Sequence, residues 1–209
     1  RINGTDEEWV KSEKFLGDWN LVPKAIVPCD AELVVKNGTL FSSPADQWKS
    51  VCESNPDKKA TAEFRIMAQA SMDFHVLSTL WVLQVGHQYD KELSDCAHGN
   101  RLRRSHDGGI NSLALGTFSP YLKPFRDWRD NGIKAMRVAL TAEKRIIALT
   151  ADISSFYHEL NPEFLLDERF NSLFDLDLSF KRRKLHRLFV SALQAWAEKT
   201  PLRSGLPVG

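Results

Sequence analysis

Apolar residues return every third or fourth position over three stretches of this chain, the spacing of one face of an α-helix. The first starts at Thr61 and runs through Phe64, Met67, Ala70, Phe74, Leu77, Trp81 and Val85, with Gly86 as its stop. The second starts near Pro120 and reaches about Ala142 through Leu122, Phe125, Trp128, Met136 and Leu140. The third covers Phe180 to Trp196, with Leu185, Leu188, Phe189, Leu193 and Trp196 along one side. Between the last two, "IIALT" is short, apolar and bounded by polar residues, which predicts a strand over 146–151 covered on both faces. Asp152 stands at the downstream end of that strand.

The remaining pattern is less regular. Residues 1–60 are mixed and interrupted by Pro23, Pro28, Pro44 and Pro56. Within them "AELVVKNGTLF" predicts a small hairpin, because Asn37-Gly38 suits the positive φ angles of a tight turn. "HGNRLRRSHDGG" predicts a strand or loop with a flexible turn at Gly108-Gly109. His75, one position beyond Phe74, is expected to be partly buried with a satisfied hydrogen bond. Helices around one strongly apolar strand make a mixed α/β (α+β) chain.

Composition changes this picture little. With 209 residues, 43% hydrophobic and 26% charged, the chain is an ordinary globular protein long enough to bury a core. No stretch reaches ~18 consecutive apolar residues, so none is expected to span a bilayer. It begins at Arg1 rather than Met, which points to a longer parent. Cys29, Cys52 and Cys96 are widely spaced and odd in number, which favours reduced thiols in a cytoplasmic compartment. Cys96, His98 and His87 match no regular zinc spacing. Charge is uneven. Residues 1–98 hold 10 Lys/Arg and 15 Asp/Glu, whereas residues 99–145 hold 10 and 4. The basic middle segment is either a phosphate-gathering surface or a solvated one.

Asp152 has two readings on residue chemistry alone. It is a strand-end carboxylate capping the next turn, or it holds a divalent cation, since Mg2+ prefers carboxylate oxygen and keeps positions open for substrate phosphates.

"ADISSFYHELNPEFLL" around it resembles the first palm motif of reverse transcriptases, in which an apolar strand delivers a metal-binding aspartate. The resemblance assigns Asp152 to the metal and Ile153 to a backbone-carbonyl contact with it. Tyr157, with Phe156 beside it, takes the aromatic place under the incoming sugar and implies a preference for deoxynucleotides. "SGLPVG" is similar to the family's glycine-rich turn lining the template and nucleotide pocket, implicating Gly205, Leu206, Pro207 and Gly209. Glycine suits a place where backbone must approach a base or phosphate closely. The upstream text "AEFRIMAQASMDFHVLSTLWVLQVGHQYDKEL", "HGNRLRRS" and "FSPYLKPFRDWRDNGIKAM" looks like the fingers of bacterial defence-associated, abortive-infection-like members.

The likeness covers about Thr61 to Gly209. It divides the chain into residues 1–60 of unassigned role, helical fingers over 61–145, and a partial palm over 146–209. It implies Mg2+, with Mn2+ as substitute, dNTPs, and an RNA or DNA template-primer. An oligomer is compatible with it. Arg101, Arg103 and Arg104, then Lys123 and Arg126, are the candidates for the triphosphate, since guanidinium forks pair well with phosphate oxygens. "KRRKLHR" at 181–187 is expected to be a solvated helix face.

One part of the family pattern is missing. Polymerisation there uses two metals, with a second carboxylate group from an aromatic-x-Asp-Asp hairpin. This chain has no Asp-Asp pair, and Asp175 and Asp177 precede the glycine-rich turn. The expectation is therefore a truncated fingers-and-palm fragment, inactive alone. The alternative is a nucleic-acid-binding module with a degenerate palm.

Overall fold

The computed structural model describes residues 6–28, 49, 60–111, 116–153 and 155–208. The "AELVVKNGTLF" hairpin, Cys29 and Cys52 lie outside them.

Two short helices, α1 (Asp6–Val10) and α2 (Glu13–Leu16), lead into strand β1 (Gly17–Pro28). Ser12 caps α2 by accepting from the Phe15 N–H at 3.3 Å. Gly17 makes the switch from helix to strand at φ +84°. A Cβ there would sit 2.2 Å from the Gln69 carbonyl oxygen, so only glycine fits.

β1 pairs antiparallel with β2 (Ala60–Ala70), from Gly17 opposite Ala70 to Pro28 opposite Ala60. The register slips between Pro23 and Ala25, next to a residue that has no N–H to give the ladder. Residues 61–70 are thus strand, not the first turns of a helix. Spacings of three and four from Phe64 to Phe74 fit a helix on paper. In the sheet, however, buried Ile66 and inward Ala68 and Ala70 follow a period of two.

The helix begins only at Ser71, whose Oγ caps the Phe74 N–H at 3.1 Å and donates to the Phe15 carbonyl. It runs as α3 (Met72–Trp81), one π-helical turn (Val82–Gly86) and α4 (His87–Glu92). Gly86 is not the stop. It lies under the Trp81 ring, where a Cβ would come within 2.8 Å of that ring. His75 is exposed on α3 rather than partly buried.

Residues 101–111 and 116–118 form a loose hairpin, with isolated bridges Leu102–Phe118 and Arg104–Ile110 and a turn through Gly108, as the sequence suggests. The 20-residue helix α5 (Leu122–Thr141) follows where the periodicity places it. None of its residues is buried, and Phe125, Trp128 and Leu140 on its apolar side are exposed. After α6 (Phe156–Glu159), a 3-10 turn (Pro162–Leu166) and α7 (Glu168–Asn171) comes α8 (Phe180–Lys199).

α8 is the core helix. Leu188, Ala192, Leu193 and Trp196 pack against Val10, Phe15, Leu16, Ile66 and Phe74, so the N-terminal helices, the sheet, α3 and α8 share one core. His186, inside the stretch expected to face solvent, is buried. Its Nδ1 accepts from Trp81 Nε1–H at 2.9 Å, and its Nε2 lies 2.8 Å from the Leu165 carbonyl.

The apolar run 146–151 is not a covered strand. Residues 144–153 adopt neither helix nor strand, with Ile147 97% and Leu149 89% exposed. A strand needs a neighbour for its N–H and C=O groups. Among the described residues the two-stranded sheet does not reach this segment. The architecture is therefore helical with one small antiparallel sheet, a mixed α+β chain. Among the described residues no helix is long and apolar enough to cross a membrane.

Candidate functional site

The last described residues fold back on the turn that follows Asp152. Leu206 N–H donates to the Tyr157 carbonyl at 2.6 Å, and Ser204 Oγ donates to the His158 carbonyl at 2.8 Å. On the other side, Ala68 N–H of β2 donates to the Val208 carbonyl at 2.6 Å. The Gly-Leu-Pro-Val run is thereby clamped between the sheet edge and residues 157–158.

Gly205 makes this close approach feasible. Its φ is +92°, and a Cβ would lie 2.7 Å from the Tyr157 oxygen and 2.8 Å from His158 Cα. Ser155, also left-handed at φ +55°, turns the chain from the extended segment into α6.

These contacts border a half-open cavity of about 980 Å3 lined, among the described residues, by Phe64, Arg65, Ala151, Asp152, Ile153, Ser155, Phe156, Tyr157, His158 and Val208. That volume is of the size that takes a nucleotide-sized ligand. Asp152 is exposed, although it was expected at the tip of a dry strand. Tyr157 and Phe156 are half-exposed, with ring centroids 5.2 Å apart in an edge-on arrangement. Asp152, Ile153, Phe156 and Tyr157 thus share one cavity with the glycine-rich turn, through Val208. Gly205 supports that turn from behind. Leu206 and Pro207 belong to the same turn, and Gly209 lies outside the described residues.

The arginines expected at the triphosphate are elsewhere. Asp90 on α4 draws two of them inward. Arg101 Nε donates to its Oδ1 at 3.0 Å, Arg104 Nη2 donates to Oδ2 at 2.7 Å, and Leu102 N–H donates to Oδ1 at 3.1 Å. Arg101 also donates to the Asp90 carbonyl at 2.9 Å, and Arg104 to the His87 carbonyl at 2.7 Å. Burial opposes ionisation of Asp90. The hydrogen bonds from Arg104, Leu102 and Arg101 outweigh it and hold the carboxyl below its ordinary value.

These arginines fasten the 101–118 hairpin to α4. Arg103 sits in the same hairpin, its N–H donating to the Thr117 carbonyl at 2.9 Å. Lys123 pairs with Asp127 at 2.6 Å on exposed α5, where Arg126 also lies. None of the five lines the cavity.

Among the lining residues that were not predicted site residues, two carry ionisable side chains: Arg65 and His158. Arg65 is exposed on β2 and is the Lys or Arg at the cavity wall among the described residues. A strand pairing, visible only in three dimensions, carries it there.

The donors fit a divalent cation in part. Asp152 offers carboxylate oxygen and Ile153 its carbonyl, but Asp152 is the sole acid among the described lining residues. Among the described residues no group of three or more His, Cys, Asp or Glu is placed to hold a metal. That includes Cys96, His98 and His87, with Cys96 exposed as a free thiol.

No protein-family model matches the chain, and comparison with curated proteins and with solved structures finds no match.

Proposed function

We propose that this chain is part of a reverse-transcriptase-type nucleotidyltransferase that makes DNA from dNTPs with Mg2+ in the bacterial cytoplasm, in antiviral defence. The supporting observation is the 2.6 Å bond from Leu206 N–H to the Tyr157 carbonyl. It joins two motifs some fifty residues apart around one cavity, as a shared nucleotide site requires.

In this reading Asp152 and the Ile153 carbonyl would hold the metal, which when bound would supply Lewis-acid stabilisation of phosphate charge. Tyr157, backed by Phe156, excludes a sugar bearing a 2′-hydroxyl. Arg65, rather than Arg101 or Arg104, offers the guanidinium fork to phosphate oxygens. Asp152 is the sole acid among the described lining residues, so the 209-residue chain by itself is not expected to extend a primer.

The test is synthesis by the full-length protein with Mg2+ and labelled dNTPs. Asp152→Asn abolishes product, and Tyr157→Ala admits ribonucleotides. Equal product from the parent and Asp152→Asn would remove Asp152 from its role.

One observation favours a second reading, a nucleic-acid-binding module without chemistry: the cavity presents a single acid among its described lining residues. Nucleic-acid binding by the full-length protein with no synthesis under any metal would decide for that module.

A further inference from the structure

Helix α5 stands clear of the core. None of its residues is buried, although its apolar positions keep the spacing of a helix that packs. At 3.6 residues per turn, Leu122, Phe125, Trp128, Gly132, Met136 and Leu140 fall on one arc of about 120°. Trp128 is 52% and Leu140 65% exposed. Tyr121, Phe125 and Trp128 form a row of rings at the amino-terminal end, with centroids 5.6 Å and 5.9 Å apart. A lone helix of this length is marginal in water and draws its stability from covering such a side.

The charges narrow what the cover is. The helix carries five Lys/Arg and two Asp. On the same projection Arg129 falls within the apolar arc and Arg126 and Arg137 border it, whereas Asp127 and Asp130 fall on the far side. Lys144 and Arg145 follow, ahead of exposed Ile147 and Leu149. The side to be covered is therefore apolar with a cationic border. A second copy would set like-charged borders against each other. A nucleic acid would meet the arginines but leave Leu122, Met136 and Leu140 in water. An anionic bilayer surface meets both demands, its acyl chains taking the apolar arc and its headgroup phosphates the arginines.

We propose that α5 is a membrane-surface helix that lies in the headgroup region of an anionic bilayer, with Trp128 and Leu140 toward the acyl chains. The contact is peripheral, since among the described residues no helix can cross a bilayer. It does not rest on the nucleotidyltransferase reading.

The experiment sediments the full chain with two kinds of vesicle, phosphatidylcholine alone and phosphatidylcholine with about one third phosphatidylglycerol. Binding is expected to the anionic vesicles and should weaken as salt rises. Tryptophan emission should shift to the blue on those vesicles. In Trp128→Phe, which still binds, the shift should be smaller. Arg126→Gln and Arg137→Gln should weaken partitioning about fivefold each. Leu140→Glu, an acid within the arc, should weaken it about tenfold or more.

Equal partitioning onto neutral and anionic vesicles overturns the proposal, as does none onto either. An emission shift unchanged in Trp128→Phe places the contact elsewhere and does the same. Binding of a single-stranded oligothymidylate in place of vesicles would assign the face to nucleic acid, and a dimer that Leu140→Glu dissolves would assign it to a second copy. Either overturns the membrane assignment. If circular dichroism shows that Leu140→Glu has lost helix, the two glutamine variants and the Trp128→Phe spectrum carry the decision.

Discussion

Alanine at position 205 would attack the joint that holds the two halves of the cavity together. Gly205 has φ +92°, a region that costs an L-residue about 1–2 kcal/mol. The new methyl would meet the Tyr157 oxygen at 2.7 Å and the His158 Cα and oxygen at 2.8 Å. These are backbone atoms, so no side chain can rotate away to make room. The 204–208 turn must lift, and the Leu206 N–H to Tyr157 bond, worth about 0.5–1.5 kcal/mol, goes with it. Together the Gly205→Ala change should destabilise by about 2–4 kcal/mol. Urea unfolding followed by tryptophan fluorescence measures it. The matched control is Gly132→Ala in exposed α5, where a Cβ meets nothing within 4 Å. There alanine should stabilise by about 0.5–1 kcal/mol through its higher helix propensity. A loss below about 0.5 kcal/mol at position 205 would refute the packing of this turn on residues 157–158 and, with it, the shared cavity.

Asp90→Ala leaves the Arg101 and Arg104 guanidiniums, each about a quarter exposed, facing a hole. We expect a loss of about 2–4 kcal/mol, below the figure for a fully buried pair because of that exposure. Faster amide exchange confined to 101–118 would accompany it. A melting temperature equal to wild type would show that the clamp carries no load. Lowering the pH should destabilise the fold through His186. Burial depresses its pKa below the ordinary 6.5, and the bond to the Leu165 carbonyl only partly offsets this. The unfolded chain therefore binds the proton first. The stability His186 contributes is complete above about pH 7 and falls as the pH drops through 6.5 toward the folded value. Protonation would also set an Nδ1–H against the Trp81 Nε1–H. Urea midpoints at pH 7.5 and 5.5 should therefore separate more in wild type than in His186→Phe, and equal separation would sink the argument.

Some elements were legible because their signal is local. Helices 122–141 and 180–199 follow from apolar spacing near 3.6 residues, a property each segment carries alone. The Gly108 turn follows from backbone freedom at that one position. Even so, the spacing that marks the 122–141 helix did not reveal that its apolar side stays exposed. The first misreading has a specific cause. Ala62, Ala68 and Ala70 suit helix or strand alike, so the pairing of 60–70 with 17–28 decided the matter. The run at 146–151 has the residues of a buried strand. Burial and pairing come from neighbours, however, and among the described residues none is supplied.

The site divides along the same line. The order of Asp152, Tyr157 and Gly205 along the chain is written in the residues, and so is the demand for glycine where φ is positive. That Arg101 and Arg104 turn toward Asp90, while Arg65 reaches the cavity instead, depended on which charges folding brought within 3 Å of one another. Electrostatic partnership acts across space and leaves no trace in spacing along the chain. The sequence by itself thus determined where the 122–141 and 180–199 helices form and in what order Asp152, Tyr157 and Gly205 follow one another. Only the tertiary structure decided which cation shares a cavity with Asp152, because that pairing is made by a strand alignment and a chain reversal between residues far apart in sequence.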